Sequence, residues 1–218
     1  RVSQAAGARA DYVQGGGGNT SVKLPGGLMA IKASGFCLSD IHPDQAYAVL
    51  DGADLRNFYL TTEPSELADV EKEGSARAKA DVRHIDGLAD LRPSVEAGFH
   101  SILKTFVVHT HSVYANLAAC STACRPIAAQ AFAGAAYTWG WVPYTDPGAN
   151  LTFAIRDELR RVEKETGKAP SVILMQNHGI IVHDDDPDTT LAIHTDANER
   201  LARMFGLSGT SFPKIAVR

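Results

Sequence analysis

Cysteine is scarce in this chain: three in 218 residues, Cys37, Cys120 and Cys124, with no CxxC pair. An odd count without paired spacing argues against a disulfide framework or a Cys-type zinc site. It points instead to a reducing, cytoplasmic compartment. Cys120 and Cys124 fall in an Ala-rich stretch and read as small buried residues. Long apolar runs are missing too. None approaches the ~20 residues that a membrane helix needs, and no signal peptide is legible. Basic clusters are absent, with no run longer than Arg160-Arg161. With a net charge of −4 and a pI near 6.1, neither nucleic acid nor an anionic membrane is the expected partner. There is no internal repeat, no low-complexity linker and no GKS or GKT that would close a P-loop. What remains is ordinary for a globular protein, at 44% hydrophobic and 21% charged residues. The length suits one domain spanning 1–218 with a substantial core.

The elements alternate in type. Residues 1–14 read as the end of a helix, and Gln14–Lys23 as a glycine-rich turn entering a strand. Leu28–Lys32 and Tyr47–Leu50 read as strands. Residues 62–90 are polar and read as either an exposed helix or a mobile segment. Pro93 sits where a helix starts, with Val95, Phe99, Ile102 and Leu103 on one face at helical spacing. Thr105–Val108 is an apolar strand. Val113–Ala123 reads as a helix and Pro126–Phe132 as a strand. Leu151, Ile155, Leu159 and Val162 mark an amphipathic helix closed by Gly167. Val172–Met175 and Ile180–Val182 read as strands around an Asn-His-Gly turn. Asp186-Pro187 is a helix start, and that helix ends at Gly206. Mixed strands and helices, with several strands close in sequence, predict a layered α/β domain with a mixed or antiparallel sheet.

The chemistry gathers at strand ends. His109-Thr110-His111 closes the Thr105–Val108 run, and residues i and i+2 of a strand share a face. Two imidazoles therefore leave one strand side by side. His178 follows the second apolar run, and Glu96 lies upstream on an expected helix. Three His and one Glu make a catalytic zinc set, the fourth position shared among carboxylate, water or substrate. Glu96 either ligates the ion or acts as general base. His100, i+4 from Glu96, is a further ligand or, preferably, a partner that orients the site. His42, His84 and His183 read as loop or edge residues, and His194 as structural. Gly15 through Ser21 forms either a flexible turn or an anion cradle. Ala33-Ser34-Gly35 and Ser94 would complete a phosphate site, with Lys23 and Lys32 adding charge.

Together the segments GGGGNTSVK (15–23), IKASG (31–35), RPSVE (92–96), VVHTHSV (107–113) and QNHGI (176–180) resemble the class II aldolase/adducin family, in family order across residues 14–182. Its rhamnulose- and fuculose-1-phosphate-type members are the closest in motif style. The resemblance implies a three-layer α/β/α fold with a central mixed, largely antiparallel sheet. It implies Zn2+, or another divalent metal, on His109, His111 and His178, with Glu96 as the acid/base residue. Asn19, Ser34, Gly35 and Ser94 match the positions that bind substrate phosphate. Val95 stands where fuculose-phosphate-type enzymes place a second serine, so one phosphate hydroxyl is missing. The implied activity is aldol cleavage or formation of a ketose or ketose phosphate through a zinc-stabilised enediolate, in carbohydrate metabolism. A homotetramer completed by a neighbouring subunit's tyrosine is implied as well. Tyr114 and Tyr137 are candidates for that residue by type alone. The same scaffold hosts epimerases, dehydratases and decarboxylases of sugar phosphates or sugar acids, and the non-catalytic adducin-like interaction modules. Those modules lose the metal histidines that this chain keeps. A cupin needs a Glu four or five residues after its second His, where this chain has Ala115 and Asn116.

Overall fold

The computed structural model describes residues 1–207. In chain order the main elements are α1 (Val2–Gly7), β1 (Asn19–Lys23), β2 (Leu28–Lys32), β3 (Tyr47–Asp51), α2 (Gly52–Thr61), α3 (Val70–Ala80), β4 (Val82–Arg83) and α4 (Ala97–Ile102). Then come β5 (Phe106–Thr110), α5 (Val113–Ala119), α6 (Cys124–Ala131), β6 (Trp139–Val142), α7 (Ala149–Thr166), β7 (Val172–Met175), β8 (Gly179–Asp184) and α8 (Pro187–Met204). The strands form one sheet in the order β4-β3-β2-β1-β5-β8-β7-β6. Only the β6–β7 pair is parallel, so the expected mixed, largely antiparallel sheet is found.

Alternation along the strands explains the layers. Ile173, Met175, Ile181 and Val107 join α2, α4 and α7 residues in one core cluster. Val172, Leu174, Ile180 and Val182 join α5, α6 and α8 residues in another. Two apolar faces on one sheet require a helical layer on each side, which gives α/β/α. The α7 helix ends at Gly167 in the left-handed conformation (φ 76°), as the Gly stop predicts. The Asp186 side chain accepts from Thr189 N at 2.7 Å, with Pro187 at the first helical position of α8.

Several expectations are corrected. Residues 126–132 are helical, in α6. The buried residues Cys124, Ala128 and Ala131 recur at i, i+4 and i+7, and Pro126 sits in the first turn, where a missing N–H costs nothing. The helix expected over 113–123 breaks after Ala119. Pro93 does not start a helix. It bridges Ala33, and Glu96 is the N-cap residue of α4. Val95, expected on the inward face, is 66% exposed. Cys120 is exposed, whereas Cys124 is buried. His183 is not an edge residue; it is 2% exposed on β8, between β5 and β7. The segment 62–90 holds α3, with Asp69 accepting from Lys72 N at 3.0 Å. The short strands β4 and β6 and the helix α2 carry too weak a pattern to be read from the sequence.

One close approach holds α4 in place. A Cβ on Gly98 would stand 2.5 Å from Thr152 Oγ1 and 2.8 Å from the Tyr59 ring. Gly98→Ala is therefore expected to lower stability by about 1–3 kcal/mol, the range for overpacking a filled core. Urea unfolding followed by circular dichroism measures this. An unchanged midpoint would mean that α4 shifts freely.

Candidate functional site

Register builds the site. Across the β1–β5 pair Asn19 lies opposite His109. Across β5–β8 His109 lies opposite Ile181 and Thr110 opposite Ile180. The β7–β8 hairpin therefore delivers His178 beside the end of β5. That hairpin needs two unusual backbone positions. Asn177 takes a positive φ of 54°, which Asn tolerates better than most residues. A Cβ on Gly179 would run into the Thr110 carbonyl oxygen and come within 3.3 Å of the rings of both His109 and His111. The glycine loop closes the other side, where a Cβ on Gly17 would stand 3.0 Å from His111 Nδ1.

The three imidazoles converge, each offering one ring nitrogen within 4.8 Å of the others. His109 Nε2 and His111 Nε2 are 3.1 Å apart. His109 is fully buried, and its Nδ1 pairs with the Ile180 carbonyl oxygen at 3.1 Å. A carbonyl accepts only, so Nδ1 carries the proton and Nε2 keeps its lone pair. Burial, the strongest influence, holds the His109 pKa down to about 3 against the opposing pull of Glu96. Burial and then His178 lower that of His111. Neutral imidazoles are the form that ligates a metal.

Glu96, 6% exposed, faces this cluster. Its Oε1 lies 3.1 Å from His178 Nε2, and its Oε2 lies 3.6 Å from His109 Nε2. Oε2 accepts from Asn19 Nδ2 at 2.6 Å. Oε1 is buried without an aligned hydrogen bond. Burial raises the carboxyl pKa, but His109, His178 and Asn19 together outweigh it and hold the group below the usual carboxylate range. Glu96 is therefore an anion beside three ring nitrogens, one of its oxygens uncommitted. The donor set of three imidazoles and a carboxylate fits a divalent cation of the zinc type, and the orphaned Oε1 is the atom such a group would satisfy.

Other expected residues take defined places. His100 is buried and orients rather than joins the ring cluster. Its Nε2 bonds Asn19 Oδ1, and its Nδ1 lies 2.7 Å from Ser21 Oγ. Asn19 in turn donates to Ser94 Oγ at 3.0 Å. Ser94 Oγ also accepts from Glu96 N at 3.3 Å, which leaves its hydroxyl proton free to donate outward. Ser34 is brought alongside by backbone pairing, its N–H donating to the Arg92 carbonyl at 2.8 Å. Gly35 is exposed at φ +91°. Lys32, 4% exposed, donates to the carbonyls of Gly16 (3.2 Å) and Phe36 (2.7 Å), tying the two glycine turns together. Lys23 is a correction. Its amine bonds the His100 carbonyl at the far end of β1, away from the glycine loop. His194 is structural, with Nε2 2.7 Å from Thr110 Oγ1. Tyr114 donates to Asp11 at 3.0 Å and Tyr137 to Asp196 at 2.9 Å.

Sequence reasoning missed two contributors. One is Arg92, whose guanidinium donates to Ser34 Oγ at 3.0 Å. The other is the Ile180 carbonyl that sets the His109 tautomer. Arg92 stands inside a recognised segment and was legible there. The carbonyl leaves no trace in side-chain identity.

No curated protein matches the chain. Among solved structures, the N-terminal class II aldolase domain of a conserved Thermoplasma acidophilum protein superposes with a TM-score of 0.75 at 20% identity, covering 94% of this chain and 90% of its own. A sugar-phosphate aldolase from Thermotoga maritima gives 0.62 at 13%, covering 97% and 94%. An L-fuculose-1-phosphate aldolase from Thermus thermophilus gives 0.53 at 14%, covering 94% and 90%. At these identities the likeness is one of fold. The model of the family described as "Class II Aldolase and Adducin N-terminal domain" matches residues 2–205. With that match over nearly its whole length, and the His109–His111–His178 cluster set against Glu96, the chain belongs to the class II aldolase and adducin family.

Proposed function

We propose that this protein is a metal-dependent aldolase that cleaves or forms a carbon–carbon bond in a ketose or ketose phosphate, with zinc as the metal. One observation carries the proposal: the ring nitrogens of His109, His111 and His178 lie within 4.8 Å of one another beside a buried carboxylate, one oxygen of which has no aligned hydrogen bond of its own. His109, His111 and His178 would hold the ion. When bound, a divalent cation supplies Lewis acidity for the negative charge that develops on the ketose oxygens.

The chain's own residues supply the rest. Asn19 fixes Glu96 Oε2, so Oε1 is the oxygen that, moved off the ion, takes a proton from, and returns it to, the carbon of the breaking bond. His100 fixes Asn19 and thereby the carboxylate. No Schiff-base lysine is required, and both lysines near these segments are bonded to backbone carbonyls. The Ser94 hydroxyl and the Ser34 and Gly35 turn form the binding side for a phosphate or hydroxyl group, with Asn19 behind them, its two amide hydrogens given to Ser94 and Glu96. A cytoplasmic homotetramer belongs to the same reading, and light scattering tests the assembly.

The test is product analysis. Protein loaded with zinc is incubated with ketose 1-phosphates, and the products are resolved by mass and NMR. Two fragments are expected. An isomer, a dehydrated product or released carbon dioxide would reassign the site to epimerase, dehydratase or decarboxylase chemistry. No turnover together with no bound metal would favour an adducin-like interaction module.

A further inference from the structure

The opposite ends of β1, β5 and β8 carry a second feature. Lys23 ends the strand that Asn19 begins, so at about 3.4 Å per residue it lies roughly 14 Å from the histidine cluster. There a cleft of about 690 Å³ opens between the strand ends and helices α2 and α7. Its walls are apolar, with Leu24, Leu60, Leu103 and Leu159 among the lining residues. Its charged groups are mostly cationic.

Two of those cations make no ion pair. Among the described residues, Lys23 and Arg56 have no carboxylate in ion-pairing range. Lys23 bonds only the His100 carbonyl, and Arg56 bonds only the Ser101 carbonyl, at 3.2 Å. Arg160 adds a third charge, held at 3.2 Å from the Leu60 carbonyl and a loose 3.8 Å from Asp157. Lys104 and Arg156 also line the cleft but are already paired, with Asp184 and with Glu63 and Asp157 respectively. His183, 2% exposed, accepts from Lys104 N through Nδ1 at 3.4 Å, so its Nε2 bears the proton. The Pro170 carbonyl acts on this ring, yet Nε2 makes no aligned hydrogen bond. Two acids share the lining. Asp185 Oδ1 accepts from the N–H and hydroxyl of Thr105 at 3.1 and 2.6 Å, and Glu163 stands on the α7 side.

Lys23 and Arg56 repel each other across this cleft, and the opposing pull of Asp185 on Lys23 comes without an ion pair. Burial first and then Arg56 push the Lys23 amine down to about 7. We infer that this cleft is a binding site for a small organic anion, with its phosphate or carboxylate head between Lys23 and Arg56 and its apolar body against the leucines. The inference is independent of the aldolase reading, because it shares no side chain with the histidine cluster.

Calorimetric titration of the full chain with phenyl phosphate and with hexanoate tests it, inorganic phosphate serving as the head-group control. Phenyl phosphate or hexanoate is expected to bind at least tenfold more tightly than inorganic phosphate. Arg56→Ala, at an exposed position that leaves the core intact, is expected to weaken binding tenfold or more. His111→Ala and Ser94→Ala are expected to leave it unchanged. Binding abolished by His111→Ala or Ser94→Ala but kept in Arg56→Ala would place the anion at the histidine site and overturn the inference. No binding of either probe at 10 mM, on the order of the weakest specific affinities, would overturn it too.

Discussion

Glu96→Gln is expected to keep the metal and the fold yet lose about 10²–10⁴-fold in turnover, the range for removing a positioned general acid–base group. The substitution is nearly isosteric, and the amide retains an oxygen for Asn19 Nδ2, which now sits 2.6 Å from Oε2. The three imidazoles are untouched. What disappears is an oxygen that accepts a proton. Nothing else in reach replaces it, because His100 is committed to Asn19 and Ser21 and burial, its strongest influence, holds its pKa well below the ordinary histidine value. Metal content by elemental analysis and kcat on a cleaved ketose phosphate measure the two halves of the prediction. A turnover within about threefold of the parent would remove Glu96 from the proton transfer.

Loss of a histidine should act in the opposite order, with metal lost first and activity lost as a consequence. Purified without added metal, the parent is expected to hold about one divalent ion per chain, and His111→Ala to hold almost none. His111 is the better choice for this test. Its ring is only partly buried, so truncation leaves little cavity. His109 is fully buried, stacks edge-on against Phe99 at 5.8 Å and pairs with Ile180. His109→Ala would also orphan a carbonyl and open a void, costing stability as well as metal. Comparing the two variants by metal content and by unfolding midpoint separates ligation from packing. A parent chain that binds no zinc when zinc is offered in excess would sink the metal-centred reading. A His111→Ala protein that holds metal as tightly as the parent would remove that residue from the ligand set.

Much of this was legible in the sequence. The i, i+2 rule put His109 and His111 on one side of a strand, and the apolar run before His178 marked a second strand leading to the site. The α7 and α8 helices were readable because period and caps agreed. Where period and caps disagreed, the reading went wrong. Pro93 resembles a helix start, but tertiary pairing with Ala33 takes that residue into an extended bridge. The helix then begins four residues later, at Ala97, which turns Glu96 inward and Val95 outward. Residues 126–132 are too few and too rich in alanine for periodicity to separate helix from strand.

By itself, then, the sequence determined the residue types at the site, the strand that carries two of the imidazoles and the alternation that demands a helical layer on each face of the sheet. These are local properties, set by backbone period and side-chain polarity. Strand order, the single parallel pair and the register that sets Asn19 against His109 were decided only in the tertiary structure. So were the His109 tautomer, dictated by a backbone carbonyl 71 residues away, and the direction of Lys23, which leaves the glycine loop for the far end of the sheet. Each depends on which distant segments meet, and a linear pattern of residue types carries no record of that pairing.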